Sequence, residues 1–345
     1  MARRALEPRL IFTSQHPLRA EDYGLAGYQG VTLDCPGGAD PQDHAGEVAR
    51  AIAPLLADRP AVLAVQGDTS SALGGAIAGF AAAVPIAHVE AGLRSFDPSM
   101  PWPEEEFRVA IDARATLLFA PTDFSAANLE AEGVGGRVFV TGNTGIDALL
   151  ALDLPPAAPQ EPQDCRLKLL VTCHRRESWG DGLRSVAEAL IELAAAYPLS
   201  IDFVLHPNPA VAGAMRDQLA GCPAIRLLEP LGHQPMVAAM RVCDILLSDS
   251  GGVQEEAPAL GVPLLVLRAK TERPEGVASG NMLLVGTDKA RVVEAVVRLL
   301  DPAIRAAMSR RAFPYGDGRS ADRIAGHIAD FIAEQAEQPH RARRA

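Results

Sequence analysis

The stretch that decides the fold is Leu246-Leu247-Ser248-Asp249-Ser250-Gly251-Gly252-Val253-Gln254-Glu255-Glu256-Ala257. The mostly apolar run at 242–247 predicts a buried β-strand, and residues 253–260 predict a helix. Between them, Ser250, Gly251 and Gly252 predict a tight turn whose small residues let a ligand approach the backbone closely. Free amides and the positive end of the helix dipole meet at such a turn, so it is a natural site for an anion.

Two glutamates, Glu255 and Glu256, fall in the predicted first turn of this helix. A carboxylate there can accept hydrogen bonds from a ribose diol while a phosphate lies on the turn. The same residues fit an ordinary strand–turn–helix with a carboxylate-rich N-terminus equally well. The choice between these interpretations therefore depends on the rest of the chain.

Length, composition and charge narrow the class of protein. A chain of 345 residues, 48% hydrophobic and with 30 Gly and 27 Pro, fits two loop-rich α/β domains. Its net charge of -11 argues against a general nucleic-acid binder. Residues 1–8 lack the apolar core of a signal peptide, and no apolar run is long enough to span a membrane. We therefore expect a cytoplasmic protein with neither nucleic acid nor membrane as a partner.

Strands and helices alternate along the chain. A first group of apolar runs predicts strands at 10–13, 30–33, 60–65, 85–89, 117–120 and 138–141. A second group predicts strands at 167–172, 201–205, 225–228, 242–247, 263–267 and 283–285. This alternation predicts parallel sheets with helices on both faces. We expect a first domain over 1–150, a second over 165–318, and a C-terminal region over 319–345, in which a helix over 321–334 precedes a polar, disordered tail from residue 335.

Three carboxylates, Asp68, Glu90 and Glu104, begin loops or helices of the first domain. Polar residues at the C-terminal ends of parallel strands face the ligand crevice. Several carboxylates in one crevice suit general acid/base chemistry, because crowding and burial push their pKa values apart. Each of them alone is more typical of a helix cap or a surface acid.

Arginine and histidine side chains follow the strands of the second domain. Arg175, Arg176 and Arg273 lie on the same side of the predicted sheet as the turn at Ser250, and guanidinium groups suit phosphate. Two histidines, His174 and His206, occupy equivalent strand ends. No zinc-site spacing, P-loop or dinucleotide fingerprint is present. The residues thus suggest a domain that holds a nucleotide diphosphate and another that presents acids, without identifying a reaction.

Taken together, the ordered blocks of the chain resemble the non-hydrolysing UDP-N-acetylglucosamine 2-epimerases. They include Gln66-Gly67-Asp68-Thr69, His88-Val89-Glu90-Ala91-Gly92-Leu93-Arg94, Pro101-Trp102-Pro103-Glu104-Glu105, Thr172-Cys173-His174-Arg175-Arg176-Glu177, His206-Pro207-Asn208-Pro209 and Thr271-Glu272-Arg273-Pro274-Glu275. The resemblance implies a glycosyltransferase-B-type fold, with two facing Rossmann-like domains. It also implies interconversion of UDP-GlcNAc and UDP-ManNAc by elimination and re-addition of UDP, with no metal or nicotinamide cofactor, in a homodimer.

The resemblance also implies roles for individual residues. The catalytic positions are Asp68, Glu90, Glu104 and His174. Phosphate is expected at Ser250, Gly251 and Gly252, ribose at Glu256, and the uracil side or phosphate at Arg273. The other positions expected near the substrate are Arg108, Arg175 and His206.

The start of the chain departs from the family pattern. The family's first strand and its Gly-Thr-Arg-Pro-Glu block are absent, so we expect that Met1 is a wrongly assigned start and that the native chain begins about 30 residues earlier. Gln15 and His16 resemble part of the family's regulatory substrate site, but Pro17 stands where a basic residue is usual. Allosteric activation by UDP-GlcNAc is therefore left open.

Other functions remain compatible with these residues. A hydrolysing 2-epimerase would release UDP and free N-acetylmannosamine. A nucleotide-sugar-binding protein would bind UDP without turnover. A retaining glycosyltransferase shares the fold but not the matching blocks.

Overall fold

A computed structural model describes residues 6–15, 20–23, 25–38, 40–154, 166–173, 175 and 179–342. Contacts divide the chain into two compact units. One unit contains the residues up to Thr144 together with those from Arg319 onward, and the other is Gly145–Gly318. Within the described residues, no helix is long and apolar enough to cross a membrane.

The first unit contains two parallel sheets. In the smaller sheet β1 (Leu10–Phe12) pairs with β2 (Gly30–Thr32). The larger sheet has the order β3-β4-β5-β6, formed by Leu63–Gln66, Ile86–Val89, Leu117–Ala120 and Arg137–Val140. Because all of its strands are parallel, the loops that carry the predicted acids Asp68 and Glu90 leave it at the same edge.

Residues that favour the N-cap position determine where helices of this unit begin. Helix α1 (Pro41–Ile52) begins at Asp40, whose carboxylate accepts the amides of Gln42 and Asp43. Helix α2 (Ser70–Ala81) begins after Asp68, because the Thr69 hydroxyl accepts the amide of Ala72. The next helices are α3 (Glu104–Asp112) and α4 (Asp123–Glu132).

The second unit has one sheet of six parallel strands. The strands are β7 (Leu167–Thr172), β8 (Leu199–Val204), β9 (Ile225–Leu228), β10 (Ile245–Ser248), β11 (Leu264–Val266) and β12 (Met282–Leu284). Their order is β12-β11-β10-β7-β8-β9. The chain winds outward in both directions from β7 and β10, which is the doubly wound order of dinucleotide-binding sheets. Ligands of such sheets bind beyond the carboxyl ends of the two central strands.

Helices cover both faces of this sheet. They are α5 (Thr144–Ala151), α6 (Asp181–Ala196), α7 (Pro209–Leu219), α8 (His233–Met240), α9 (Gly251–Leu260), α10 (Pro274–Ala278), α11 (Lys289–Leu299) and α12 (Pro302–Met308). Successive residues of β7 point to opposite faces. Leu169 and Val171 join the core under α6, and Leu170 joins the core under α9. Strands buried on both faces explain the continuous apolar runs in the sequence.

The last helix, α13 (Ser320–Ala342), belongs to the first unit. Its apolar residues Ile324, Ile328 and Phe331 pack on Leu117 and Phe119 of β5. The expectation of a disordered tail from residue 335 was wrong up to Ala342, because the helix continues to that residue.

Helix α9 also differs from its prediction, because it begins at Gly251 rather than at Val253. Gly251 and Gly252 therefore form the first turn of the helix, with Ser250 as the N-cap. Glu255 and Glu256 fall in the second turn, and both are buried. The placement of these two glutamates in the first turn was wrong.

Candidate functional site

The first unit brings two of the predicted acids to neighbouring strand ends. Asp68 follows β3 and Glu90 follows β4. Glu90 has a φ of 71°, in the left-handed region that residues with a side chain rarely adopt. A Cβ placed on Gly67 would lie 3.7 Å from Oε2 of Glu90, so this carboxylate lies beside the Gly67–Asp68 turn. A strained backbone held by its surroundings is a frequent mark of a functional site.

Helix α3 is joined to the Asp68 turn by Arg108. The buried guanidinium of Arg108 donates to Asp68 and, over 2.9 Å, to Oε2 of Glu105. Glu105 in turn accepts the amides of Ser95 and Phe96. Glu104, the predicted catalytic acid, is the first residue of the same helix. The buried Glu105 was not singled out in the sequence, because consecutive acids at a helix start look alike until their burial is known.

In the second unit, a pair of hydroxyl groups joins the C-terminal ends of the two central strands, β7 and β10. Oγ1 of Thr172 lies 2.7 Å from Oγ of Ser248, and both residues are buried. The amide of Ser250 donates to the same Ser248 oxygen over 3.1 Å. The buried Asp249 carboxylate accepts the amide of Arg175 over 2.8 Å. The predicted residues Arg175 and Ser250 therefore leave the sheet together, at its topological switch point.

The start of α9 is an anion site by its geometry. Gly251 and Gly252 expose first-turn amides at the positive end of the helix, and Ser250 adds no side-chain cap within the described part of the chain. A Cβ on Gly251 would lie 2.9 Å from Cζ of Arg273, so glycine is required for this packing. Around Gly252 there is open space.

Arg273 lies in a buried network of ion pairs. Its Nε donates to Glu255 over 2.5 Å and its Nη1 donates to Glu272. Glu272 also accepts from Nη1 of Arg268 over 2.9 Å. These bonds hold the guanidinium of Arg273 against Gly251. Glu255, Glu272 and Arg268 were absent from the predicted site, since spacing alone does not show which acids meet an arginine.

Glu256, the predicted ribose ligand, is buried and has a histidine partner. Oε1 of Glu256 lies 2.6 Å from Nε2 of His233, at the start of α8. Burial raises the pKa of Glu256, and the hydrogen bond with His233 partly opposes that shift. His233 was not singled out in the sequence because it lies in a different strand–helix unit.

Of the two predicted histidines, His206 is among the described residues and His174 is not. The amide of Asn208 donates to Nδ1 of His206 over 2.8 Å, so a neutral His206 ring carries its proton on Nε2. Burial lowers the pKa of His206, although the Asp249 carboxylate opposes the shift. His174 and Arg176 lie outside the described residues. In the part of the chain that is described, no cluster of three or more His, Cys, Asp or Glu side chains could hold a metal ion.

The doubly wound sheet, the anion-binding helix start and the parallel sheet of the first unit define a Rossmann-like α/β protein of the glycosyltransferase-B class. The family model for UDP-N-acetylglucosamine 2-epimerase matches residues 1–329. The UDP-N-acetylglucosamine 2-epimerase of Escherichia coli K12 is 42% identical over 287 residues, which cover 79% of this chain and 76% of that protein. The Salmonella typhimurium enzyme of the same name is 44% identical over 286 residues, with the same coverage.

A solved structure gives the same result at the level of the fold. The crystal structure of UDP-GlcNAc 2-epimerase from Neisseria meningitidis bound to UDP-GlcNAc has a TM-score of 0.82 and 32% identity, and the match covers 93% of this chain and 99% of that one. The chain belongs to the UDP-N-acetylglucosamine 2-epimerase family, and it is an isomerase acting on carbohydrates. The resemblance to the UDP-N-acetylglucosamine 2-epimerases is thereby confirmed at the level of the family.

Proposed function

We propose that the protein interconverts UDP-GlcNAc and UDP-ManNAc by inverting carbon 2 of the sugar, without net hydrolysis. The observation that carries this proposal is the start of α9, where Gly251 lies against Arg273 at the switch point of the second sheet. The relative from Neisseria meningitidis is bound to UDP-GlcNAc, which supports the same ligand here.

In this proposal the second unit holds UDP. The diphosphate lies on the first-turn amides of α9, where Ser250, Gly251 and Gly252 leave the backbone accessible. Arg175 adds positive charge near that turn, Arg273 lies against Gly251, and Glu256 accepts the ribose hydroxyls. Because the second unit binds the substrate through its UDP part, the sugar is left free to react.

The first unit supplies the carboxylates for the chemistry. One carboxylate among Asp68, Glu90 and Glu104 removes the proton on carbon 2. The electron pair of that C–H bond forms a double bond between carbons 1 and 2, and the bond from carbon 1 to the phosphate oxygen breaks. UDP leaves with the electron pair of the broken bond between carbon 1 and the phosphate oxygen, which gives 2-acetamidoglucal. A proton then returns to carbon 2 on the opposite face, and UDP adds back at carbon 1.

A phosphate site that retains UDP favours re-addition over capture by water. The named relatives, which are called UDP-N-acetylglucosamine 2-epimerases, fit this interpretation. The hydrolysing alternative gives different products from the same intermediate, and a binding protein gives no product.

Chromatography of the products separates these alternatives. The protein is incubated with UDP-GlcNAc, and the nucleotide and sugar fractions are quantified over time. We expect UDP-ManNAc to accumulate to a constant ratio with UDP-GlcNAc. Stoichiometric UDP and free N-acetylmannosamine would instead establish the hydrolysing reaction, and unchanged UDP-GlcNAc would leave only binding.

A further inference from the structure

A fully buried histidine lies directly behind the predicted acids. His88 is on β4, close in sequence to Glu90, and none of its side chain is exposed. Its Nδ1 lies 2.6 Å from Oδ1 of Asp112, and its Nε2 lies 2.9 Å from the carbonyl oxygen of Gly67. Both ring nitrogens therefore face oxygen atoms.

These partners determine which protons the ring carries. A carbonyl oxygen only accepts, so Nε2 must donate to Gly67. Asp112 is already an acceptor on its other side, where Oδ2 receives the amide of Gly92 over 3.1 Å and Nη1 of Arg94 over 2.8 Å. Burial alone would raise the pKa of Asp112, but the hydrogen bonds and charges of His88 and Arg94 outweigh burial and lower it. An ionised Asp112 has no proton to donate and can only accept hydrogen bonds. Nδ1 of His88 must therefore donate as well.

Another buried histidine in the same unit shows the contrast. Nε2 of His44 lies 2.9 Å from the carbonyl oxygen of Cys35, and its Nδ1 lies 2.6 Å from Oγ of Ser70. A hydroxyl can donate to an unprotonated nitrogen, so a neutral ring satisfies both contacts of His44. The contacts of His88 are satisfied only by a ring that carries both protons.

The buried charges around His88 are paired. Arg94 binds Asp112 and, through two nitrogens at 2.7 Å, the carboxylate of Glu132. His88, Asp112, Arg94 and Glu132 therefore form a chain of alternating charge. An unpaired charge at this depth would be strongly destabilising, whereas a hydrogen-bonded chain is tolerated.

Two members of this chain of charges, His88 and Asp112, hydrogen-bond to the turns that carry Asp68 and Glu90. His88 fixes the carbonyl of Gly67, the residue before Asp68. Asp112 fixes the amide of Gly92, in the turn that starts at Glu90. The Gly92 carbonyl is held as well, because it accepts from Nδ2 of Asn128 over 2.9 Å. Both turns have a left-handed backbone, at Gly67 and at Glu90, which needs such support.

We propose that His88 and Asp112 are positioning residues: a doubly protonated His88 and an ionised Asp112 clamp the Gly67–Asp68 turn to the Glu90–Gly92 turn and so fix the spacing of the two acids. This inference rests on the proposed function, in which Asp68 and Glu90 act on the sugar. Neither His88 nor Asp112 touches the substrate in this account. Their loss therefore lowers the rate by misplacing the acids.

Kinetics of His88→Gln test the positioning role. Glutamine carries both of its N–H donors on one nitrogen, so it cannot donate to Gly67 and Asp112 from the two separate positions of the imidazole nitrogens. We expect kcat to fall about 100-fold, the cost of a displacement of roughly 1 Å at a reacting group. The affinity for UDP, measured by calorimetry, should stay unchanged, because the predicted UDP ligands are in the other unit. His44→Gln is the matched control: it removes another buried histidine and should keep the kcat of the folded fraction.

Nitrogen NMR of histidine-labelled protein tests the charge on His88 directly. The His88 signals are assigned by their loss in His88→Gln. At the pH of the kinetic assay, we expect both ring nitrogens of His88 to carry a proton, because each faces an acceptor oxygen. An unprotonated nitrogen, or a His88→Gln variant with normal kcat or with UDP affinity reduced in proportion to kcat, would overturn the inference. If the wild-type protein does not epimerise UDP-GlcNAc, the proposed function fails, and the NMR result still decides the protonation of His88.

Discussion

Oγ1 of Thr172 and Oγ of Ser248 lie 2.7 Å apart and join the ends of β7 and β10, where the second sheet reverses its winding order. The Ser248 oxygen also receives the amide of Ser250, the N-cap of α9. The start of the helix is thus tied to the sheet by buried side-chain hydrogen bonds. A preorganised turn of this kind binds an anion without the cost of ordering itself.

Glycines 251 and 252 provide a matched pair of substitutions at this turn. Gly251→Ala places a methyl group against the guanidinium of Arg273, and Gly252→Ala places one in open space. We expect Gly251→Ala to destabilise the protein by about 1–3 kcal/mol, the usual cost of overpacking, and to weaken UDP binding. Gly252→Ala should leave the free energy of unfolding unchanged or slightly higher. Urea unfolding and calorimetric titration with UDP measure both effects, and equal stability of the two variants would remove the Gly251–Arg273 contact from the account.

Substitution of the acids in the first unit should separate chemistry from binding. We expect Glu90→Gln and Glu104→Gln each to lower kcat by about 10²–10⁴-fold, the range for loss of general acid/base help. UDP affinity should persist, since the acids act on the sugar. Glu106→Gln, in the same first turn of α3 but exposed, is the control and should keep normal kcat. Near-normal rates in Glu90→Gln and Glu104→Gln would refute their assignment.

The role of Glu256 can be tested with two ligands. We expect wild-type protein to bind UDP more tightly than 2′-deoxy-UDP, because Glu256 accepts a ribose hydroxyl. Glu256→Gln should lower the affinity for UDP about 10- to 100-fold, the value of a hydrogen bond to a charged group, and should change the affinity for the deoxy ligand less. Equal losses for both ligands would mean that Glu256 supports the fold of the site through His233 and does not contact the ribose.

The stability of the protein at acidic pH should reveal the contribution of the buried chain of charges. The pKa of Asp112 is lowered in the folded protein, so its contribution is present above the unfolded-state pKa and is lost as the pH falls through the folded-state pKa. We therefore expect Asp112→Asn to flatten the dependence of the unfolding free energy on pH below about pH 4. Asp58→Asn, at a site with 83% of the side chain exposed, is the control. A slope unchanged by Asp112→Asn would contradict this account of the charge chain.

Much of the fold could be predicted because buried parallel strands have a simple signature. The apolar runs at Leu117–Ala120, Leu167–Thr172 and Ile225–Leu228 coincide with observed strands. Helix boundaries were less accurate. Glycine lowers helix propensity, so the start of α9 was placed at Val253, whereas the N-cap position and tertiary packing allow the helix to begin at Gly251.

Site residues could be predicted where they directly follow a strand. They could not be predicted where their role depends on a partner that is distant in the sequence. Asp68 and Glu90 follow neighbouring strands of the first unit's sheet, and Ser250 follows a central strand of the second unit's sheet, so the edge at which each lies within its own sheet followed from parallel topology. His88 points inward from the middle of an apolar run and meets Asp112 on a later helix. Sequence spacing carries no sign of such a pairing, because it is created by the packing of α3 on the sheet.

Proton exchange at carbon 2 is the sharpest test of the proposed elimination and re-addition of UDP. The protein is incubated with UDP-GlcNAc in deuterated water, and the sugar is followed by NMR. We predict that deuterium replaces the proton at carbon 2 in both UDP-GlcNAc and UDP-ManNAc, with the sugar still joined to UDP at equilibrium. Formation of UDP-ManNAc with its original proton at carbon 2, or no exchange under conditions in which UDP binds, would contradict the account.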